Sequence, residues 1–261
     1  MNKFILNNRL IYFILIFFFI FISIFYLIGC SSSKETRYEQ KPNPPKAEEK
    51  KEIEIKSVTK TMEVRERELI KKLKISAVDR ISFEYDSKGK LVNKGKISTV
   101  KYDKKGLLTE TTIFDPNGRV QNRYEYKYDK NGFRIESFRY DAQNKADKKY
   151  IYEYDKAGIK IKSTRYDMKG KTEKYYLYDY DSNINLISDE WYDASGDLEY
   201  KIETEYDDDG NKTVSFSYAG DGKLNFKYVF KYDDKKNIIE EKKYDSNDKL
   251  VGITQYLYKY Y

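Results

Sequence analysis

The chain has 261 residues, with 50 Lys or Arg, 43 Asp or Glu, no His, one Cys and a formal net charge of +7. The missing histidine removes the commonest general base and metal ligand, and a single Cys excludes an internal disulfide framework. The 28 Tyr and 14 Phe argue against a disordered polyelectrolyte, although 36% of the residues are charged. Most of the positive charge lies before residue 81. From 81 to 261 the two signs nearly cancel and are interspersed, so the basic stripe that a phosphate backbone requires is missing and no nucleic-acid partner is expected.

Residues 1–9 hold Lys3 and Arg9 and no acids, and residues 10–28 form an almost unbroken apolar run rich in Ile and Phe. The run ends in Leu27-Ile28-Gly29-Cys30, followed by three serines. A basic start, an apolar stretch and a small residue before a cut site describe a secretory signal. The four-residue ending resembles the lipobox of bacterial lipoproteins. That resemblance implies a signal peptide over 1–29, diacylglyceryl transfer to the Cys30 thiol, cleavage before Cys30, and addition of a further acyl chain such as palmitate. It makes the lipid bilayer a partner through acylated Cys30. Ser31 after the Cys resembles the outer-membrane sorting choice of double-membraned bacteria. The competing reading is an uncleaved anchor, since about 20 apolar residues suffice to span a bilayer. Both readings place the rest of the chain outside the cytoplasm, in the cell envelope.

Residues 30–56 are rich in Ser, Lys and Glu and include Pro42, Pro44 and Pro45, which predicts a solvated, flexible tether. Residues 57–80 read as a transition or N-terminal cap. Met62, Leu69, Ile70 and Leu73 share one helical face, with Lys71, Lys72 and Lys74 suited to a last turn. The stretch around Ile53, Ile55 and Val58 has a strand pattern instead.

Beyond residue 80 the chain is periodic. An aromatic mark recurs at Tyr102, Phe114, Tyr128, Tyr140, Tyr154, Tyr166, Tyr180, Tyr192, Tyr206, Tyr218, Tyr232, Tyr244 and Tyr258, in steps of 12 and 14 residues, so one unit is 26 residues. Such a period means stacked supersecondary units. The mark opens a Tyr-Asp-x-x-Gly turn, as in Tyr102-Asp103…Gly106, Tyr128-Asp129…Gly132, Tyr154-Asp155…Gly158, Tyr166-Asp167…Gly170, Tyr192-Asp193…Gly196 and Tyr206-Asp207…Gly210. Asp accepts backbone hydrogen bonds from the residues ahead of it, and Gly supplies a positive φ, which predicts a type I turn with a bulge between two strands. Between turns, tyrosines alternate with charged residues at period two: Tyr124, Tyr126, Tyr128; Tyr150, Tyr152, Tyr154; Tyr176, Tyr178, Tyr180. The predicted fold of residues 81–261 is all-β, an antiparallel meander of about 14 strands in hairpin repeats. It is expected as an elongated, twisted or curved repeat sheet roughly 65 Å wide, preceded by the N-terminal signal helix.

The Tyr-Asp-x-x-Gly spacing resembles the YD-repeat, or RHS-like, repeats of bacterial surface and toxin proteins, which implies strands spiralling into a shell. The 12/14 pairing departs from the shorter RHS spacing, and no toxin domain follows the last repeat. The Lys-, Glu- and Tyr-rich strands also resemble the single-layer sheets of spirochaetal outer-surface lipoproteins.

Without His, a free thiol or a Gly-x-Ser-x-Gly elbow, no catalytic residue is expected, and neither a cofactor nor a metal is assigned. Asp207-Asp208-Asp209-Gly210-Asn211 has oxygen ligands suited to Ca²⁺ but occupies an ordinary turn slot. The expectation is therefore a non-enzymatic, surface-displayed repeat lipoprotein that binds protein partners or acts structurally. The alternative is an envelope carbohydrate-binding module whose tyrosine stripes stack on sugar rings. Exposed aromatic rows would favour the glycan ligand, and tyrosines packed away from solvent would favour the protein ligand.

Overall fold

The computed structural model describes residues 61–261. The signal segment, the lipobox residues Leu27, Ile28, Gly29 and Cys30, and the tether expected over 30–56 lie outside the described residues. The first element is a helix, α1 (Met62–Leu73). Its start is fixed by Thr61, whose hydroxyl accepts from the Val64 N–H at 3.4 Å, and its end by Lys74 in the left-handed conformation. Glu63 in the first turn and Lys71 and Lys72 in the last oppose the helix dipole favourably.

Fourteen strands follow: β1 (Ile75–Tyr85), β2 (Leu91–Tyr102), β3 (Leu108–Phe114), β4 (Val120–Tyr128), β5 (Arg134–Tyr140), β6 (Ala146–Tyr154) and β7 (Lys160–Asp167), then β8 (Thr172–Tyr180), β9 (Leu186–Asp193), β10 (Leu198–Tyr206), β11 (Lys212–Ala219), β12 (Leu224–Tyr232), β13 (Ile238–Asp245) and β14 (Leu250–Tyr260). Each is antiparallel to its sequence neighbours. The first strand therefore begins at Ile75, upstream of the repeat boundary expected at 81.

The elongated open sheet expected from the sequence is corrected by the pairing of β1 with β14, which closes the fourteen strands into a barrel. Val78 stands opposite Tyr258, Arg80 opposite Tyr256 and Ser82 opposite Thr254. The physical reason is twofold. Closure removes the two edges that a free meander would leave unpaired. It also buries the tyrosine face against itself, which a single open layer cannot do without a second layer to cover it.

Two bulges per repeat decide which side chains face the lumen. At the end of the barrel next to α1, Lys101 pairs with Glu110 but Tyr102 with Leu108, so Thr109 is the extra residue. At the opposite end Ile113 pairs with Asn122 but Phe114 with Val120. The same slips recur in the later hairpins. Each extra residue shifts the alternation by one. The repeat tyrosines of the even strands (Tyr102, Tyr128, Tyr154, Tyr206) consequently point inward. The repeat aromatics of the odd strands (Phe114, Tyr140, Tyr166, Tyr192) point outward.

The outer wall is a lattice of cross-strand charges. Lys101 pairs with Glu110 at 2.8 Å, Lys127 and Lys149 both reach Glu136, and Lys201 reaches Glu190 on β9 at 3.5 Å. A lipid-facing barrel instead carries an apolar band, and each Lys or Arg at the bilayer midplane would cost about 2–4 kcal/mol. The charged wall therefore faces water. Among the described residues no helix is long and apolar enough to cross a membrane.

Candidate functional site

The turns behave as the motif demands. In each of these six hairpins the Asp carboxylate (Asp103, Asp129, Asp155, Asp167, Asp193, Asp207) accepts from the backbone N–H groups two and four residues ahead at 2.8–3.1 Å, as Asp86 does in the Tyr85-Asp86…Gly89 turn. The fourth turn position is left-handed in all six, from Gly158 and Gly210 at φ 78° to Gly196 at 94°. Hydrogen bonds from the Lys171 backbone hold the Asp167 carboxyl below its ordinary range. Asn211 does the same for Asp207 through its side chain and backbone, so the Asp-rich stretch at 207–211 is built as a turn like the others.

The inward tyrosines form tiers. In the tier nearest α1, the Tyr128 hydroxyl donates to the Leu108 carbonyl, Tyr154 to Arg134, Tyr206 to Leu186 and Tyr258 to Ile238, all at 2.8–2.9 Å and all twenty residues back. In the middle tier, Tyr126 meets Thr111 at 3.1 Å, Tyr152 meets Ser137 at 2.8 Å, Tyr178 meets Ser163 at 2.8 Å and Tyr256 meets Glu241 at 3.1 Å, fifteen residues back. A third row packs ring against ring, Tyr124 to Tyr150 to Tyr176 to Trp191 to Tyr200, with centroids 4.6–6.4 Å apart. Trp191 is 2% exposed and its Nε1 donates to Asp189 at 3.0 Å.

Cations project among these rings from the first inward position of the odd strands. Arg134 sits 4.4 Å from the Tyr126 ring centre and 5.5 Å from Tyr152, and Lys160 sits 4.1 Å from Tyr178. Helix α1 supplies counter-charge: Glu63 approaches Lys160 at 3.4 Å. Burial pushes the Glu66 carboxyl up to about 8, with Lys212 pulling the other way. Burial likewise lowers Lys160 to about 8 and Lys212 to about 7, and raises Asp189 to about 7 and Glu241 to about 6.

The helix is docked as a plug across this end. Arg65 donates to the Ile184 carbonyl at 3.2 Å and to Asn185 Oδ1 at 2.9 Å, and Arg67 donates to the Gly132 carbonyl at 3.2 Å. A Cβ on Gly106 would lie 2.3 Å from the Arg67 carbonyl oxygen, so the turn touches the helix backbone directly. Ile184 is left-handed at φ 60° and 1% exposed. That conformation is costly for a β-branched residue, and here it is held by the burial of its side chain and by Arg65.

The sequence-predicted turn residues are thus spread over both rims of the barrel, and the structure does not gather them into one site. The residues that do converge in the lumen were missed: Arg134, Lys160 and Lys212, with Asp189 and Glu241. Their signal is visible only when the repeats are aligned by column. One column reads Leu108, Arg134, Lys160, Leu186, Lys212, Ile238, and another reads Thr111, Ser137, Ser163, Asp189, Ser215, Glu241.

No family model and no curated protein matches the chain. Solved structures with distant likeness include a porin-like protein from Bacteroides uniformis, at 12% identity over 72% of this chain and 97% of that one, with a TM-score of 0.41. A porin-like protein from Bacteroides vulgatus shares 14% identity over 71% of this chain and 98% of that one, at 0.34. The Photorhabdus luminescens Tc holotoxin pore structure shares 16% over 60% of this chain and only 9% of that one, at 0.23. These likenesses are too distant to assign a function.

Proposed function

We propose that this protein is a non-enzymatic lipoprotein of the bacterial envelope, anchored by lipid at Cys30, whose water-facing barrel serves as a binding or structural module for protein partners. The observation that carries the reading is the direction of the tyrosines. The rows that would stack on sugars line the lumen, with Tyr124 at 0% and Tyr176 at 2% exposure. What remains outside is a charged lattice suited to polar contact with another protein. The lipobox-like Leu27-Ile28-Gly29-Cys30 supplies the anchor that the charged wall cannot. The outer membrane is the address that Ser31 favours. The absence of His and of a free thiol beyond Cys30 supports a role without catalysis.

The carbohydrate reading keeps one specific support. Tyr175 and Tyr192 stack on the outer wall with centroids 4.9 Å apart and planes 7° from parallel. The two readings separate in a glycan array run beside an envelope pull-down with the full chain. Protein capture with no glycan signal supports the first, and glycan binding lost in Tyr175→Ala replaces it with the second. Palmitate entering the wild type but not Cys30→Ala supports the anchor. Incorporation into both, or into neither, overturns it.

A further inference from the structure

One sector of the α1 end differs in charge from the rest of the barrel. Lys71, Lys72 and Lys74 are exposed at the C-terminus of α1, and Lys104 and Lys105 are exposed in the β2–β3 turn. The two groups are held together. The Gly106 backbone abuts the Arg67 carbonyl, the Tyr261 N–H donates to the Lys74 carbonyl at 2.9 Å, and the Tyr261 hydroxyl donates to the Tyr102 carbonyl. The acid of that turn, Asp103, has its carboxylate engaged by the Lys105 and Leu107 N–H groups at 2.8 and 2.9 Å. Beside the lysines, Tyr260 and Tyr261 are 52% and 54% exposed. The opposite rim is balanced, with eight basic and nine acidic residues across its seven turns. On the α1 end itself the acids gather in the β10–β11 turn, at Asp207, Asp208 and Asp209, whereas in the β12–β13 turn Asp233 and Asp234 are offset by the exposed Lys235 and Lys236.

The described chain also enters at this end, since Thr61 caps α1. Thirty residues, 31 to 60, separate it from Cys30. A stretch of that length with the tether character its composition predicts would have a root-mean-square reach of roughly 30 Å, no less than the height of a barrel whose tilted strands have seven to twelve residues. On the membrane-anchored reading of Cys30, the α1 end, where the described chain begins, would be within that reach of the bilayer. Clustered lysines near a surface of anionic lipid are drawn to it within a Debye length, and exposed tyrosines suit the headgroup layer.

We propose that the five-lysine sector, Lys71, Lys72, Lys74, Lys104 and Lys105 with Tyr260 and Tyr261, docks on anionic lipid headgroups and holds the barrel with α1 toward the membrane and the opposite rim outward. The acidic turn at 207–209 is repelled, so the barrel tilts onto its lysine side. This rests on the membrane-anchored reading of the N-terminus.

The test uses the full chain purified from membranes and reconstituted in vesicles of phosphatidylcholine alone or with about 30 mol% phosphatidylglycerol, the latter giving a negative surface potential. Exposed amines are acylated with a water-soluble ester and each lysine is read by peptide mass spectrometry. On anionic vesicles the five lysines are expected to label about threefold or more slowly than on neutral ones, while Lys88 and Lys169 on the far rim are unchanged. The difference is expected to vanish at about 0.5 M NaCl, where screening is strong. At the remaining Lys71, Lys72 and Lys74 it should also vanish in Lys104→Glu/Lys105→Glu, whose exposed turn positions leave the fold intact. Equal labelling of the five lysines on both vesicles, or equal slowing at both rims, would overturn the proposal. Palmitate incorporation is measured separately. If it fails, the lipoprotein reading falls, and the same vesicle comparison on the uncleaved, membrane-inserted chain still decides the docking.

Discussion

The two rims of the barrel carry the same Tyr-Asp turn and use its tyrosine in opposite ways. At the α1 end Tyr154 points inward and its hydroxyl donates to the Arg134 carbonyl at 2.9 Å. At the other end Tyr140 points outward, lies 4.3 Å beneath the Arg123 guanidinium and donates to Glu125 at 2.9 Å. The turns themselves are alike, with Asp accepting the same backbone pair at both ends. The difference lies in which strand carries the extra residue next to the turn, since that residue decides which face the tyrosine joins. A motif that fixes a turn does not by itself fix an environment.

The largest test of this contrast is truncation on each side. Tyr154→Ala opens a void in the lumen and is expected to cost about 3–5 kcal/mol. Tyr166→Ala on the outer wall should cost within about 1 kcal/mol. Urea denaturation followed by circular dichroism compares them, and equal losses would break the inside–outside assignment.

The next effect separates the rim that carries α1 from the opposite one. Gly106→Ala and Gly118→Ala both place a side chain at positive φ, at 80° and 76°, which costs roughly 1–2 kcal/mol. Only at Gly106 does the new Cβ strike the helix backbone, whereas nothing lies within 4 Å at Gly118. Overpacking should add about 1–3 kcal/mol at Gly106, with faster hydrogen exchange across α1. If the two variants match in stability and exchange, the helix is not seated on that turn.

A third prediction concerns pH. Burial raises Glu66 to about 8, so between pH 5 and 7 the folded chain keeps a proton there that the unfolded chain releases. The unfolded state then binds fewer protons, and stability falls as pH rises through this window, by up to about 1.4 kcal/mol per pH unit for one such group. Asp189 and Glu241 act in the same direction. The lowered Lys160 and Lys212 act oppositely but only from about pH 7 upward. Glu66→Gln should flatten the fall between pH 5 and 7, and an unchanged slope would remove Glu66 from the lumen cluster.

The smallest effect belongs to the outer lattice. Lys127→Ala breaks a 2.9 Å pair with Glu136, but Lys127 is exposed and Lys149 still reaches that carboxylate. The expected loss is below about 1 kcal/mol and should shrink further in salt. A loss as large as that of Tyr154→Ala would mean that the outer wall, not the lumen, carries the stability.

The turns were legible in the sequence because their determinants are local: Asp103 and Gly106 act within five residues of one another. The strands were legible because Tyr124, Tyr126 and Tyr128 alternate with charges at period two. Closure was not, since it depends on β1 meeting β14, and no residue near Ile81 or Gln255 signals a partner so far away in the chain. The lumen cluster was obscured for a related reason. Arg134, Lys160 and Lys212 each read as ordinary strand charges, and the bulges at Ile135 and its counterparts reverse the face that simple alternation would give them.

Closure is the central claim and is tested most directly by one distance. Spin labels on Ile81→Cys and Gln255→Cys, in a Cys30→Ala background, sit on register partners of β1 and β14. With adjacent strands about 4.8 Å apart, the closed barrel predicts a label separation below about 20 Å, whereas an open sheet of the same fourteen strands would hold them roughly 60 Å apart. A short, narrow distance distribution supports the barrel, and a long one would return the chain to an open repeat sheet.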